Sequence, residues 1–113
     1  MEENNNSTEF TVNKLVRDNI PTIIEDDNKM TITYICDDEE YYLRLKKKLL
    51  EEVNEFIEDE NIEELADILE VIYAIGKHKG IPKEQLEAIR AKKVQERGAF
   101  DKKIVLLKTQ LKD

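Results

Sequence analysis

Apolar residues in the middle of the chain recur at intervals of three and four positions, which is the period of an amphipathic α-helix. The first such run consists of Tyr42, Leu45, Leu49, Val53 and Phe56. Asp37 and Asp38 precede this run and favour a helix N-cap, and the acidic segment EDEN (58–61) follows it. The pattern predicts a helix that begins at these aspartates and ends near Glu58.

Two further helices are predicted between this first helix and the C-terminal segment. The second spans about residues 62–79, because Gly80 favours a helix end and Pro82 cannot continue the helix. The third spans about residues 83–97 and stops at Gly98. The short connections predict helices that lie antiparallel to their neighbours.

The second helix has a wider apolar surface than one neighbouring helix can cover. Its apolar residues are Ile62, Leu65, Leu69 and Ile72 on the main stripe, with Ile68, Val71 and Ile75 beside it. Because three helices offer few neighbours, we predict that this helix meets its counterpart in a second copy. Dimerisation would then complete the core.

The remaining segments are less regular. Residues 1–9 are polar and lack periodicity, which predicts a disordered tail. Pro21 permits at most a broken helix in the segment that follows. The runs ITYIC (32–36) and KIVLL (103–107) predict two short strands. The predicted fold is mainly α, an antiparallel helical bundle with short peripheral β-strands, in a single domain of residues 10–113.

Composition excludes several classes of protein. The 113 residues carry a net charge of −8, which argues against non-specific nucleic-acid binding because that binding needs a basic surface. No apolar stretch reaches the ~18–20 residues of a membrane span, and residues 1–9 do not resemble a signal peptide. The single cysteine, Cys36, cannot form an internal disulfide and fits a reducing compartment. We therefore predict a cytoplasmic protein that binds neither membranes nor nucleic acids.

Two pairs of acidic residues lie on the first two predicted helices, Glu52 with Glu55 and Glu64 with Asp67. A spacing of three places both members of a pair on one side of a helix, about 4.5 Å apart along its axis. Facing residues of an antiparallel hairpin have residue numbers with a constant sum. The pairs Glu52–Asp67 and Glu55–Glu64 have the same sum as a pair of apolar residues on the two stripes. The register that brings the stripes together therefore places all four carboxylates beside the contact line of the two helices, which we call the seam.

Four carboxylates this close repel one another unless they are protonated or neutralised. A divalent cation removes the repulsion. Ligation by oxygen alone suits Mg²⁺, for which Mn²⁺ can substitute, better than Zn²⁺, since His78 is the only histidine. The alternative is that these residues are ordinary solvated charges in a chain with 26 acidic residues. Glu51 is a candidate for a supporting position, whereas Glu58, Glu60 and Glu63 have no assigned role.

The acidic pattern resembles that of a known family. EEVNE at 51–55 followed by ELAD at 64–67 is similar to the E-E-x-x-E … E-x-x-D pattern of the MazG-like all-α NTP pyrophosphohydrolases. Three further segments resemble the phosphoribosyl-ATP pyrophosphohydrolase-like branch of this superfamily: NKLVRDNIP at 13–21, LADILEVIYAI at 65–75 and KKVQERGAF at 92–100. The resemblance covers residues 10 to about 107.

The resemblance implies a homodimer or higher homo-oligomer that uses Mg²⁺ to hydrolyse an NTP or modified NTP to the monophosphate and pyrophosphate. By motif position, the metal ligands are Glu52, Glu55, Glu64 and Asp67. Glu52 or Glu55 is our candidate to take the proton from the attacking water. Only eight residues, 56–63, separate the two half-motifs. That is fewer than in many relatives, which leaves the identity of the substrate open.

Phosphates outside the metal sphere need cations. The candidates are Lys14, Arg17, Lys93 and Arg97. Each of them could instead be a solvated charge. Three tyrosines could stack on a base or pack in the core: Tyr41, Tyr42 and Tyr73.

Two other functions fit the sequence. A phosphoribosyl-ATP pyrophosphohydrolase of histidine biosynthesis would perform the same chemistry on a different substrate. A non-catalytic helical dimerisation module would need the acidic residues only for solubility. A nucleotide-binding regulator with a degenerate site is disfavoured, because all four acidic residues of the motif are present.

Overall fold

Four α-helices make up the regular structure of the computed structural model, which describes residues 9–113. The helices are α1 (Ile20–Asp26), α2 (Asp38–Asp59), α3 (Ile62–His78) and α4 (Lys83–Arg97). The three helices predicted from the apolar pattern correspond to α2, α3 and α4 and are confirmed. Apart from Glu9, the predicted tail of residues 1–9 lies outside the described residues.

The helix α2 joins α3 through a short turn that folds the two into a hairpin, the main helix–helix contact of the molecule. Glu60 ends α2 in a left-handed backbone conformation, with a φ of 54°, and its N–H donates to the Phe56 carbonyl. Asn61 then caps α3 by accepting a hydrogen bond from the Glu63 N–H at 3.0 Å. Because the turn is so short, it fixes which residues of α2 lie opposite residues of α3.

A close approach of backbone segments positions α4 against the end of α3. Gly80 adopts a φ of 82° just after α3, in the left-handed region that glycine tolerates. At Gly76, an added Cβ would lie 3.1 Å from the Ile81 carbonyl oxygen and 3.8 Å from the Leu86 side chain. A side chain at position 76 would therefore push the start of α4 away from α3.

The two predicted strands, residues 32–36 and 103–107, are wrong. Neither segment forms a strand, and no strand occurs anywhere in residues 9–113. Ile32 is 100% exposed and Leu107 is 89% exposed. Their β-branched and aliphatic side chains fit a pleated surface, but a strand also needs a hydrogen-bonded partner strand. The prediction of a mainly α, helical protein is therefore confirmed without the peripheral strands.

The apolar core of a single chain is thin. Leu45 on α2 and Val71 on α3 are the only buried apolar residues of the described region. The radius of gyration is 20.5 Å, against about 13 Å for a compact chain of similar length. No helix within residues 9–113 is long and apolar enough to cross a membrane. The predicted completion of the core by a second copy stays a prediction.

Candidate metal centre

Three carboxylates converge on one side of α2. Oxygen atoms of Glu51, Glu52 and Glu55 all lie within 4.8 Å of one another, and we call these residues the α2 cluster. Glu52 is only 6% exposed and is the one buried charged residue in the described part of the chain. The sequence analysis gave Glu51 only a supporting position, whereas the structure groups it with the predicted ligands. The doubled glutamate of the motif was the available signal.

Glu52 interacts with acidic residues on both helices of the hairpin. Burial raises the pKa of its carboxyl group, and the charges of Glu55 and Asp67 raise it further against the opposing charge of Lys48. The charge of Asp67 acts from α3 on Glu52 of α2. This agrees with the hairpin register, which predicts that Glu52 and Asp67 lie opposite each other. In the folded protein the ionised form of Glu52 is therefore less favourable than in the unfolded chain, unless a cation neutralises the neighbouring acidic groups.

Glu64 is the second point at which the two helices bring acidic groups together. Burial raises the pKa of its carboxyl group, and the charges of Asp59 and Glu55 add to the effect. Glu55 and Glu64 are the other pair that the register sets level. The Oε1 atom of Glu64 is shielded from solvent and has no hydrogen-bond partner among the described residues. Buried polar atoms normally have a partner, and a hard cation could provide one here.

Arg17 and Lys14, two basic residues of the segment before α1, form ion pairs with acidic residues of the centre. The Arg17 guanidinium donates a hydrogen bond to the Asp67 carboxylate at 2.6 Å. The Lys14 ammonium lies 3.2 Å from a carboxylate oxygen of Glu51. The sequence predicts both cations at a phosphate, and the structure places both of them beside the carboxylates. Both ion pairs are partly exposed to solvent, which limits their strength.

A third cation at the centre, Lys48, was missed by the sequence analysis. Its ammonium lies 3.3 Å from Glu51 and 3.9 Å from Glu52. A lysine three and four positions before two glutamates on one helix is a recognisable ion-pair pattern. Burial opposes ionisation of Glu51, but Lys14 and Lys48 outweigh it and lower the pKa of that carboxyl group.

Arg44, which the sequence analysis also missed, holds the start of the segment that carries Lys14 and Arg17. Its guanidinium donates to the Asn13 carbonyl at 2.9 Å and to the Asn13 side-chain oxygen at 3.1 Å. It also donates to Glu40 on α2 at 2.8 Å. Asn13 has a left-handed φ of 49°, which asparagine tolerates better than most residues. Arg44 therefore ties the segment to α2 one residue before Lys14.

The other two predicted phosphate ligands lie on α4. This helix packs against α3 but not against α2. Lys93 and Arg97 are exposed, and within the described structure neither forms an ion pair or hydrogen bond with the carboxylates. One chain alone does not bring these two residues to the centre, and their role at a phosphate stays a prediction.

The candidate base-stacking tyrosines pack against neighbouring side chains. The Tyr42 ring stacks on His78 with centroids 5.3 Å apart, and Tyr41 meets the same ring edge-on at 5.5 Å. The Lys83 ammonium lies 4.8 Å above the Tyr73 ring. All three tyrosines are half-buried. These contacts favour the interpretation that the tyrosines contribute to packing.

The donor chemistry of the centre fits a hard divalent cation. The structure brings Glu51, Glu52 and Glu55 of α2 close together, but Glu64 and Asp67 of α3 are not part of this close group. Asp67 acts on Glu52, and Glu55 acts on Glu64, through their charges between the two helices. Oxygen donors of this kind suit Mg²⁺ or Mn²⁺, and the basic side chains beside them are the kind that hold phosphate. Comparisons of the chain with profiles of known protein families, with curated proteins and with solved structures found no match.

Proposed function

We propose that this protein is a Mg²⁺-dependent nucleoside triphosphate pyrophosphohydrolase that converts an NTP or modified NTP to the monophosphate and pyrophosphate. The observation that carries the proposal is the convergence of acidic groups on Glu52, together with the solvent-shielded, unpartnered oxygen of Glu64. The resemblance to the MazG-like superfamily supplies the reaction. The residues that would hold the metal are Glu52, Glu55, Glu64 and Asp67, with Glu51 beside them.

The reaction replaces one phosphorus–oxygen bond by another. Water adds to the α-phosphorus, the bond to the bridging oxygen breaks, and pyrophosphate leaves. A bound Mg²⁺ ion would neutralise charge on the phosphates and lower the pKa of the attacking water. Glu52 or Glu55 accepts the proton that the water loses.

Arg17 and Lys14 would hold the phosphates that the metal does not reach. Both already form ion pairs with carboxylates: Arg17 lies 2.6 Å from an oxygen of Asp67, and Lys14 lies 3.2 Å from an oxygen of Glu51. Because their ion pairs are partly exposed, exchanging a carboxylate partner for a phosphate costs at most about 1 kcal/mol per pair. Arginine can bind a phosphate through two N–H groups at once, whereas lysine acts as a mobile point charge.

A panel of NTPs, modified NTPs and phosphoribosyl-ATP, assayed for pyrophosphate with and without Mg²⁺, tests the proposal. We expect Mg²⁺-dependent turnover of at least one NTP, and a loss of at least about 10²-fold in kcat for Glu52→Gln and Asp67→Asn. Glu58→Gln is the matched control, because Glu58 lies on the same helix and is exposed. Parent-like turnover by Glu52→Gln would disprove the site. Activity on phosphoribosyl-ATP alone would reassign the substrate.

A non-catalytic dimerisation module remains the second candidate, because Arg17 and Lys14 already neutralise part of the acidic centre. The two candidates differ in their response to Mg²⁺. At a Mg²⁺ concentration ten times its Kd, a bound ion adds about 1.4 kcal/mol to stability, which raises Tm by roughly 4–8 °C. NaCl of equal ionic strength is the control. No difference between the two salts would favour the module.

We also propose that the active protein is a homodimer or higher homo-oligomer in the cytoplasm. The apolar face of α3 supports the assembly, since Ile62, Leu65 and Leu69 are 73%, 39% and 48% exposed in the single chain. The free Cys36 fits a reducing compartment. Multi-angle light scattering at several protein concentrations measures the assembly directly, and a monomer at all concentrations would contradict it.

A further inference from the structure

The segment after α4 presents an uncovered apolar surface. From Gly98 onward every residue is exposed. We call residues 100–111 the C-terminal arm. Its large apolar residues, with exposures between 74% and 96%, are Phe100, Ile104, Val105, Leu106, Leu107 and Leu111. Six largely exposed apolar side chains within twelve residues, four of them consecutive, mark a surface that binds another surface.

A second uncovered apolar surface runs along the outside of α2. It consists of Leu43, Leu50 and Ile57, which are 57%, 63% and 65% exposed. Their spacing of seven keeps them on one side of the helix, and we call them the α2 stripe. A shallow groove beside this stripe is lined by Lys47, Leu50, Glu51, Asn54, Glu55 and Glu58.

The arm and the α2 stripe agree in length. The stripe runs from Leu43 to Ile57, which is about 21 Å along the helix axis at 1.5 Å per residue. The apolar part of the arm, residues 104–111, extends over about 23 Å at 3.3 Å per residue when fully extended. One extended arm can therefore cover the whole stripe.

The arm and the groove also have complementary charges. The arm carries three lysines and one aspartate: Lys102, Lys103 and Lys108 with Asp101. The groove is lined by three glutamates and one lysine. Apolar contact along the centre with lysines facing glutamates at the edges is a typical arrangement of a specific interface.

We propose that the arm of one copy lies along the α2 stripe of a second copy, so that two copies exchange arms. In the single chain the arm follows α4, which packs against α3 and not against α2, and every residue of the arm is exposed. Both complementary surfaces belong to the same sequence, so two copies satisfy them reciprocally.

The area of an exchanged pair is large enough for a stable dimer. Successive side chains of an extended arm face opposite sides, so about half of the six apolar side chains contact the stripe, at roughly 100 Å² each, or about 300 Å² per arm. Two arms and the two surfaces that they cover then bury about 1,200 Å², the lower end of standard interfaces. This contact is separate from the α3 face. Its groove shares Glu51 and Glu55 with the candidate metal centre, but the exchange does not depend on the enzymatic activity proposed above, and its tests need neither metal nor nucleotide.

Disulfide trapping between differently tagged copies tests the exchange. One copy carries Leu50→Cys and the other Leu106→Cys, both in a Cys36→Ser background, and the mixture is oxidised with oxidised glutathione. We expect a covalent product that contains both tags. Ile23→Cys replaces Leu50→Cys in the matched control, because Ile23 is 59% exposed but lies on α1. A mixed product no more abundant than in this control would overturn the proposal.

A charge placed on the arm provides a second test that does not depend on cysteine chemistry. Leu106→Asp should raise the Kd of the dimer about tenfold or more in light-scattering titrations, because it removes one buried leucine from each arm. Thr109→Asp adds the same charge to the arm without removing an apolar side chain and should change the Kd less. A monomeric parent, or an unchanged Kd for Leu106→Asp, would overturn the exchange whatever the enzyme assays show.

Discussion

Arg17 and Asp67 are joined by a 2.6 Å hydrogen bond, although they lie fifty positions apart and the sequence assigns them to different ligands. The sequence places Arg17 at a phosphate and Asp67 at a metal. In the structure the Arg17 guanidinium takes the place of the metal cation at the Asp67 carboxylate. The Asp67 carboxylate likewise takes the place of the phosphate at Arg17. Binding of Mg²⁺ and substrate would therefore exchange both partners of this pair.

The first prediction concerns competition between Arg17 and the metal for Asp67. The pair is exposed, with side-chain exposures of 56% and 40%, so it contributes at most about 1 kcal/mol. In Arg17→Gln, Mn²⁺ should bind up to about fivefold more tightly, because the ion no longer displaces a guanidinium. The KM for the nucleotide should rise about tenfold, because the phosphate loses a charged partner. Calorimetric titration with Mn²⁺ and steady-state kinetics measure the two effects.

Arg17→Lys provides the control for this prediction. It keeps the charge near Asp67 but loses the planar arrangement of two N–H donors. Its metal affinity should stay close to that of the parent, while its KM should still rise. Equal Mn²⁺ affinities of the parent and Arg17→Gln would show that the ion pair does not compete with the metal.

The second prediction concerns pH. Burial and neighbouring acids raise the pKa of Glu52 above its unfolded value of 4.5, and burial likewise raises that of Glu64. A raised carboxyl pKa means that the folded state holds a proton more tightly than the unfolded state. Stability from these groups is therefore full below about pH 4.5 and decreases as the pH rises through the raised pKa values.

Metal-free unfolding by urea at several pH values from 4.5 to 8 measures this effect. The Glu52→Gln variant should lose less stability across this range than the parent, because glutamine does not ionise. Glu51, whose pKa is lowered, stabilises the folded state above pH 4.5 and loses this contribution only as the pH falls below that value, so its contribution changes little across this range. If the parent and Glu52→Gln have the same pH dependence, the Glu52 carboxylate is not destabilised in the folded protein.

The third prediction concerns Arg44, which positions the N-terminal segment without contacting the carboxylates of the centre. Arg44→Ala removes its hydrogen bonds to Asn13 and should increase hydrogen exchange at residues 14–17. The KM should rise several-fold with a smaller change in kcat, because Lys14 and Arg17 lose their fixed approach to phosphate. Arg44→Lys should restore part of the KM. Unchanged exchange at residues 14–17 would show that Arg44 does not position this segment.

The hairpin could be predicted from the sequence because its determinants are local. The spacing of Leu45, Leu49 and Val53 defines the face of α2, and Asn61 and Gly80 mark helix boundaries. The pairing across the seam followed from the short turn by simple geometry. For these reasons the prediction of the three long helices is confirmed.

The failures come from interactions between distant segments. The runs at 32–36 and 103–107 have the composition of strands, but a strand depends on a partner that composition does not reveal. Likewise, nothing local in KLVRD indicates that Arg17 lies on Asp67 or that Arg44 holds Asn13. These contacts depend on the path of an irregular segment over α2, which only the folded structure defines.

The last prediction separates the core of one chain from its exposed apolar surface. Leu45 is 3% exposed and lies on the same helix as Leu43, which is 57% exposed. Leu45→Ala should lower the free energy of unfolding by about 2–5 kcal/mol, a large fraction of the about 5–15 kcal/mol typical of domains. Leu43→Ala should change it by about 0.5 kcal/mol or less in the monomer.

Urea unfolding at a low and a high protein concentration distinguishes the two variants. The loss for Leu45→Ala should appear at both concentrations. A loss for Leu43→Ala should appear only at the concentration where the exchanged arm covers the α2 stripe, and equal losses for both variants at low concentration would contradict this assignment of the core.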